Sequence, residues 1–416
     1  MPIVSRHGHR SGTPAPTIGH TTGLGGSLFP TSGPVPPDRL IGREDYVLAL
    51  TESLRQGEHR IVTATGKVGK TSVARAAVTA LESEGWGSAT VDLLRANDLA
   101  TAIERLVGTS LVAGADDAVP ETSSTFGEAF AHLERYAEAA DRRVVVFVDG
   151  FHELVTTQLY GRGDEVTKEM RASLDQTTRL ACLFVGAVPY VMRDLFTSKS
   201  SALFQFGTVA ALAPVQRSDW DTALRSRFND GGCEIEDAAL DRLLELSQGH
   251  TRTTMLIARW CWEIARASER HRVEEPIVDR AFRAAQNGEA PVLEGELVRV
   301  RTSGKHAIGI ALRVARGESP YKSLPPAIAR QTLRGLETLG VVDHPRSGAW
   351  QIVDPLFREY LLRPVDEEPA VTEEWALAAL LVAEPEAAPA TALAAKPMER
   401  VEGEAVAEEA VAEEPV

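Results

Sequence analysis

Ile61-Val62-Thr63-Ala64-Thr65-Gly66-Lys67-Val68-Gly69-Lys70-Thr71-Ser72-Val73-Ala74 is the stretch on which the architecture turns. A β-branched apolar run enters a glycine-bearing turn, Gly69-Lys70-Thr71 closes it, and an alanine-rich helical pattern follows. This is the strand–loop–helix plan of a phosphate-binding loop. In such a loop backbone N–H groups face the phosphates at a helix N-terminus, the lysine reaches the β- and γ-phosphates, and the threonine hydroxyl ligates Mg²⁺. Gly66, Lys67, Val68, Gly69, Lys70, Thr71 and Ser72 are the candidate nucleotide-binding residues, and Thr71 is also a candidate Mg²⁺ ligand. The spacing G-x-x-x-x-G-K-[ST] asks for glycine at Ala64, whereas the first glycine stands at Gly66. The competing reading is a glycine-containing surface turn, and the strand before it and helix after it count against that.

Working outward, Arg143-Val144-Val145-Val146-Phe147-Val148-Asp149 is the strongest strand pattern in the chain. It is apolar on both faces, as a central parallel strand is. Asp149 at its tip is placed to hold Mg²⁺ through water, on a strand expected beside that of the loop. Gly150 follows where many ATPases of this plan carry a water-orienting glutamate. Glu153 comes one helical turn after Asp149 and is the candidate catalytic group, a role that competes evenly with a plain surface glutamate. His152 is a candidate general base, with a solvated side chain the stronger reading.

Strands at 60–65, 88–93, 143–149, 180–186 and 208–212 alternate with helices at 70–84, 97–112, 125–140 and 164–178. The expected class is α/β, a P-loop parallel sheet flanked by helices with the loop at its C-terminal edge. From Arg217 the pattern is helical, with segments at 240–246, 255–267 and 275–286. Residues 292–364 read as helix, helix and short β-hairpin, the outline of a winged helix-turn-helix. The expected organisation is therefore a disordered segment 1–38, an α/β domain 39–215, a helical lid 216–290, a winged helix-turn-helix 291–365 and a disordered acidic tail 366–416. Within the tail, Trp375 to Val382 has the composition of one short apolar helix.

The 416 residues are 44% hydrophobic and 25% charged, ordinary for a globular protein. Net charge is −15, but residues 366–416 hold 14 acidic and two basic residues, so the rest of the chain is near −3. The acidity belongs to the tail and does not exclude nucleic-acid contact by the body. Cys182, Cys233 and Cys261 form no C-x-x-C pair, which suggests neither a zinc site nor a disulfide framework. No signal-peptide pattern and no membrane-spanning run is present, and a cytoplasmic protein is expected.

The order Ile41-Gly42-Arg43-Glu44, Gly69-Lys70-Thr71-Ser72, Asp149 and Gly249-His250-Thr251-Arg252 resembles AAA+/STAND-type P-loop ATPases. More narrowly it is similar to the archaeal-ATPase group and to replication-initiator (origin-recognition) ATPases. Asp149-Gly150-Phe151-His152-Glu153 is similar to the Asp-Gly-hydrophobic-Asp-Glu pattern of NACHT-type STAND members, with histidine in the second aspartate's place. Val353-Asp354-Pro355-Leu356-Phe357 resembles the end of the archaeal-type winged helix. The resemblance covers about residues 39–364. It implies that Ile41, Gly42 and Arg43 line the adenine pocket and that Arg252 is the sensor-2 arginine of the lid. It also exposes departures. Gly186-Ala187-Val188 offers no polar sensor-1 side chain, and Leu203-Phe204-Gln205-Phe206 carries no arginine finger.

These departures keep the binding parts and alter the hydrolytic ones. The expectation is ATP binding with Mg²⁺ and slow or impaired hydrolysis, a nucleotide-gated switch rather than a motor. Two other readings stand beside it. One is an ATP-dependent DNA-binding initiator or regulator that contacts double-stranded DNA through Arg330, Arg334 and Arg346. Residues 290–365 carry 11 basic and seven acidic residues, consistent with that contact. The other is a catalytically silent scaffold. A protein partner or homo-oligomer is compatible with each.

Overall fold

In the computed structural model the described residues are 28–110, 123–157, 163–322, 324–344 and 349–363. The expected Trp375–Val382 helix, the rest of the tail and Arg346 lie outside them.

Five parallel strands form the sheet: β1 (Arg60–Thr63), β2 (Gly87–Asp92), β3 (Val144–Asp149), β4 (Leu180–Gly186) and β5 (Thr208–Ala211). Their order is β2-β3-β4-β1-β5. The register sets Val62 beside Val185 and Val146 beside Cys182. The strand bearing Asp149 is therefore not next to the loop's strand, as the sequence suggested: β4 lies between them. Strand order depends on which crossover each helix makes, and local sequence does not encode it.

The central strands work because successive side chains point to opposite faces. Val144, Val146 and Val148 join Phe130, Leu133 and Met170 in one core, while Val145 and Phe147 join Leu54, Val73 and Leu81 in the other. Burying each such side chain contributes roughly 1.5–3 kcal/mol. Helices α1 (Glu44–Arg55) and α2 (Lys70–Ser83) cover the second face. Helices α3 (Leu99–Ser110), α4 (Phe126–Ala139) and α6 (Gly163–Leu174) cover the first, with the single turn α5 (Glu153–Thr156) between α4 and α6 in the chain. Helix α7 (Pro189–Thr197) leaves the tip of β4.

The remaining helices are α8 (Arg217–Asp230), α9 (Asp237–Ser247), α10 (Thr251–Ala267), α11 (Glu275–Gly288), α12 (Ala290–Thr302), α13 (Ala307–Ala315), α14 (Pro326–Thr338) and α15 (Pro355–Leu362). A small parallel pair, β6 (Glu234–Ile235) and β7 (Arg272–Val273), ties α8 to α11. The antiparallel pair β8 (Val342–Asp343) and β9 (Gln351–Ile352) stands between α14 and α15. One hydrophobic core runs through all of this region, from Trp220 to Leu361, without a break at residue 290.

That core also contains Leu28 and Phe29, which corrects the expectation of disorder through residue 38. Phe29 is fully buried, with its ring centroid 4.9 Å from that of Phe228. The buried Arg227 guanidinium donates to the carbonyls of Leu28, at 2.9 Å, and Arg39, at 2.8 Å. Among the described residues no helix is long and apolar enough to cross a membrane.

Candidate functional site

The loop between β1 and α2 turns through two left-handed residues, Lys67 (φ +60°) and Gly69 (φ +94°). The second delivers Lys70 as the first residue of α2, so the helix's free N–H groups and the positive end of its dipole face the loop. A Cβ placed on Gly66 or Gly69 meets nothing within 4 Å, so the concave side of the loop is open to a ligand. Lys70 is buried and its ammonium donates to the Thr65 carbonyl at 2.6 Å. Burial pushes its pKa down to about 8, partly offset by the Asp149 charge. A buried ammonium bonded to a neutral carbonyl is short of negative charge, which is the condition a phosphate relieves.

Thr71 Oγ1 donates to Asp149 Oδ2 at 2.6 Å, and the Gly150 N–H donates to Asp149 Oδ1 at 2.9 Å. Burial raises the Asp149 pKa; the Thr71 hydrogen bond and the Lys70 charge oppose that, while the nearby Asp92 carboxylate adds to it. Asp92 and Asp149 occupy facing positions at the tips of β2 and β3. Thr71 and Asp149 are thus brought together as the pair that would hold Mg²⁺, despite the strand between them. In Asp149→Asn, nucleotide binding in excess chelator should stay within about twofold of the parent, while the gain produced by Mg²⁺ should fall about tenfold, one charge-assisted contact's worth. Calorimetric titrations with and without Mg²⁺ read this directly, and an unchanged Mg²⁺ gain would remove Asp149 from the metal site.

The loop opens into a cavity of about 570 Å³ whose walls come from widely separated parts of the chain. Lys70, Thr71 and Asp149 form the floor, Ile41 and Arg252 line the side, and residues 30–35 run along the rim. The Val35 N–H donates to Ser72 Oγ at 3.1 Å, and Arg252 Nε donates to the Thr31 carbonyl at 3.1 Å. The rim segment was not legible as part of a site, because its Pro, Gly and Ser content reads as disorder. The buried Leu28-Phe29 pair was its one hydrophobic signal.

Ile41 and Arg43 both line this cavity, whereas Gly42 packs against α8. Gly42 has φ +57°, and a Cβ there would overlap the Asp219 carboxylate at the start of α8. Arg43 is 3% exposed and donates to the carbonyls of Ala213, at 2.6 Å, and Val68, at 3.4 Å. Its guanidinium braces the loop against the exit of β5. It also separates the cavity from a larger cleft, of about 1150 Å³, beneath the loop.

Arg252, the second residue of α10, donates from Nη2 to both carboxylate oxygens of Glu289, each at 2.9 Å. Glu289 is the single residue between α11 and α12. Just before α10, the His250 ring accepts the Thr253 N–H at Nδ1, at 3.4 Å, so Nε2–H donates to the Gly66 carbonyl at 3.1 Å. Lys67 Nζ stands 3.9 Å from Asp354 Oδ2 at the start of α15. The loop is thus touched at Gly66 by the residue before α10 and at Lys67 by the residue before α15.

The turn after β3 corrects a second expectation. His152 is 5% exposed, not solvated, and burial together with the nearby Lys70 charge pushes its pKa down to about 4. Its Nδ1 accepts the Ala187 N–H at 3.3 Å, and its Nε2 stands 3.4 Å from Glu153 Oε1. Burial raises the Glu153 pKa, with Arg299 of α12 opposing. Gly150 has φ +70°, and a Cβ there would lie 3.1 Å from the Leu94 side chain. A glutamate at that position would therefore be strained by the left-handed backbone and would crowd Leu94. Phe206 is a core residue stacked on His59 at 4.3 Å. Arg330 and Arg334 lie exposed on α14, outside the cavity lining.

The family model described as Novel STAND NTPase 1 matches residues 36–264. No curated protein matches the chain. Among solved structures, the Walker-type ATPase PABY2304 of Pyrococcus abyssi superposes with a TM-score of 0.66 at 18% identity, covering 81% of this chain and 100% of that one. The Aeropyrum pernix ORC2 protein, solved as ADPNP-ADP complexes, gives a TM-score of 0.52 at 18% identity, covering 80% of this chain and 95% of that one. At such identities the likeness is one of fold.

Proposed function

The chain belongs to the Novel STAND NTPase 1 family, and from that premise we propose that it is an ATP-binding regulatory switch whose hydrolysis is slow. One observation carries this reading: the buried Lys70 and the Thr71–Asp149 pair share a single cavity with Arg252 of the lid. Lys70 and the N–H groups of residues 66–72 would hold the phosphates, Thr71 and Asp149 the Mg²⁺, and Ile41 with the rim segment 30–35 the base side. Bound Mg²⁺ supplies charge neutralisation at the β- and γ-phosphates. Arg252 is then the lid residue placed to distinguish nucleotides, because a phosphate and Glu289 compete for one guanidinium. Slow turnover follows from the residues that would stabilise the transition state. Ala187 and Phe206 supply no cation or polar side chain there, and losing such contacts costs orders of magnitude in rate.

Titration of the purified chain with a fluorescent ATP analogue, with and without Mg²⁺, tests binding, and phosphate release tests turnover. Mg²⁺-dependent binding with turnover on the order of 10⁻⁴–10⁻² s⁻¹, the range of switch NTPases working without a trans-acting arginine, is the expected pair of results. No Mg²⁺-dependent binding would sink the reading, and turnover near 10 s⁻¹, an ordinary enzyme's rate, would sink the switch part of it.

A second reading is favoured by α14. Arg330 and Arg334 are both exposed, while Leu333 and Leu336 of the same helix are buried. With residues 291–365 taken as a winged helix, these two guanidiniums, together with Arg346 on the sequence reading, are phosphate contacts for double-stranded DNA. Repeating the nucleotide titration with duplex DNA at two salt concentrations separates the readings. Affinity that drops steeply with salt supports DNA contact, and none at low salt leaves the segment to a protein partner or a second copy of the chain.

A further inference from the structure

We propose that His152 is a positioning residue: its imidazole holds Glu153 as the water-orienting carboxylate and so replaces the side chain missing at the tip of β4. The inference rests on the ATP-binding reading above and goes beyond it, because it assigns residual hydrolysis to a specific pair.

The geometry fixes the tautomer. A backbone N–H can only donate, so Nδ1, which takes the Ala187 N–H at 3.3 Å, carries no proton. The proton of the neutral ring is then on Nε2, and Nε2 is the atom 3.4 Å from Glu153 Oε1. Adjacent residues on a helix do not normally face each other. Here they do, because His152 precedes the single turn α5 and its ring is turned back towards β4. The turn is bolted to β4 at two points, by the Phe151 N–H donating to the Val185 carbonyl at 2.8 Å and by Ala187 to His152. The Glu153 N–H donates to the Gly150 carbonyl at 2.8 Å. The carboxylate therefore has its backbone fixed relative to Asp149 and its side chain within reach of a fixed N–H donor.

The positional logic is that of a relay. In the related pattern the residue at the tip of β4 reaches the reaction directly, and here Gly186-Ala187-Val188 has no side chain to do so. Its backbone N–H orients the imidazole instead, and the imidazole orients the carboxylate. Catalytic hydrogen bonds are commonly long before substrate is bound. A movement of a few tenths of an ångström brings 3.4 Å into the ordinary range. The histidine suits this task because it stays neutral: a buried ring beside Lys70 does not take up a second proton, so it donates to Glu153 without adding a positive charge. A surface histidine would have no reason to be 5% exposed with Nδ1 hydrogen-bonded and Nε2 facing a carboxylate.

The test compares the full chain with His152→Ala, His152→Gln and Glu153→Gln, measuring ATP-analogue affinity and single-turnover phosphate release. Gln places an N–H donor close to where Nε2–H stands, so it restores donation to Glu153 without the ring. The expected result is affinity within about twofold of the parent in all three variants, because none of these residues contacts the nucleotide in the proposed arrangement. Single-turnover rates should fall about tenfold or more in His152→Ala and Glu153→Gln, and His152→Gln should recover several-fold of the loss, in the range of one positioned proton-transfer partner. Equal rates in parent and His152→Ala overturn the inference. So do equally slow His152→Ala and His152→Gln, which would mark the ring as packing only, and so does a parent that binds Mg-ATP but never turns it over. Loss of ATP binding by the parent, in contrast, is a failure of the switch reading and is seen in the affinity arm alone.

Discussion

Lys70→Ala should lose Mg-ATP binding by about 100-fold or more, the scale of removing a charge-assisted phosphate contact from a site shielded from water. The same substitution should leave the empty protein no less stable, and at neutral pH more so. Lys70 is buried and its pKa is about 8 in the fold against 10.5 for an ordinary lysine. The folded chain therefore binds protons at this site less readily than the unfolded chain, and stability must rise as pH goes from about 8 towards 10.5. Below that window the protonated lysine is a cost carried by the empty site. Lys70→Ala and Lys70→Met remove the titrating group, so they should flatten this rise and raise the urea midpoint at pH 7. Lys70→Arg should not rescue binding, because a planar guanidinium does not fit a channel built around a compact ammonium hydrogen-bonded to Thr65. Calorimetry with Mg-ATP and urea titrations at pH 7 and pH 10 check both signs. Binding retained in Lys70→Ala, or a variant destabilised at pH 7, would contradict the assignment.

Phe29→Ala carries the second large effect. A fully buried phenylalanine replaced by alanine loses about 3–5 kcal/mol. What distinguishes this site from any other buried ring is its connection to the cavity rim. From Phe29 the chain runs to Thr31, whose carbonyl accepts from Arg252, and to Val35, whose N–H donates to Ser72 of the loop. Releasing the anchor should therefore also weaken ATP-analogue affinity about three- to tenfold, as an ordered wall is lost. Phe29→Leu fills most of the volume and should cost under about 1.5 kcal/mol with affinity retained. Urea unfolding followed by two probes, to test that one transition is being measured, together with affinity, decides the matter. An unchanged midpoint in Phe29→Ala would show that the segment does not hold the rim.

Much of the fold was readable because the sheet's signals are local. Val144–Val148 is apolar at every position, and a strand buried on both faces has no other pattern. The loop at Gly66–Ser72 and the carboxylate at Asp149 were readable for the same reason, as chemistry at fixed spacing. What escaped is non-local. Nothing near Asp149 says that β4 will lie between it and Thr71. The Arg252–Glu289 pair joins residues 37 apart, and Arg227 reaches back 199 positions to Leu28. Helix α12 hides because Val292 and Val298 are exposed and leave no clean stripe. Arg43 was placed in the pocket by resemblance and does line the cavity; what the sequence did not show is that its guanidinium also donates to two carbonyls that brace the loop. His152 was read as solvated because a histidine in a short polar turn usually is. Its burial depends on the tip of β4, more than 30 residues later in the chain.

On the proposed reading, the Arg252–Glu289 pair would make nucleotide and architecture two readings of a single equilibrium. Glu289 joins α11 to α12, so the carboxylate that occupies the lid's arginine is also the elbow from which the C-terminal helices depart. Thermodynamic reciprocity then applies in both directions. If a phosphate draws Arg252 from Glu289 and shifts the elbow by some factor, a partner that shifts the elbow must change nucleotide affinity by the same factor. Coupling of this kind needs only two oxygens and a guanidinium with two places to go, and its sign can be read from either end of the molecule.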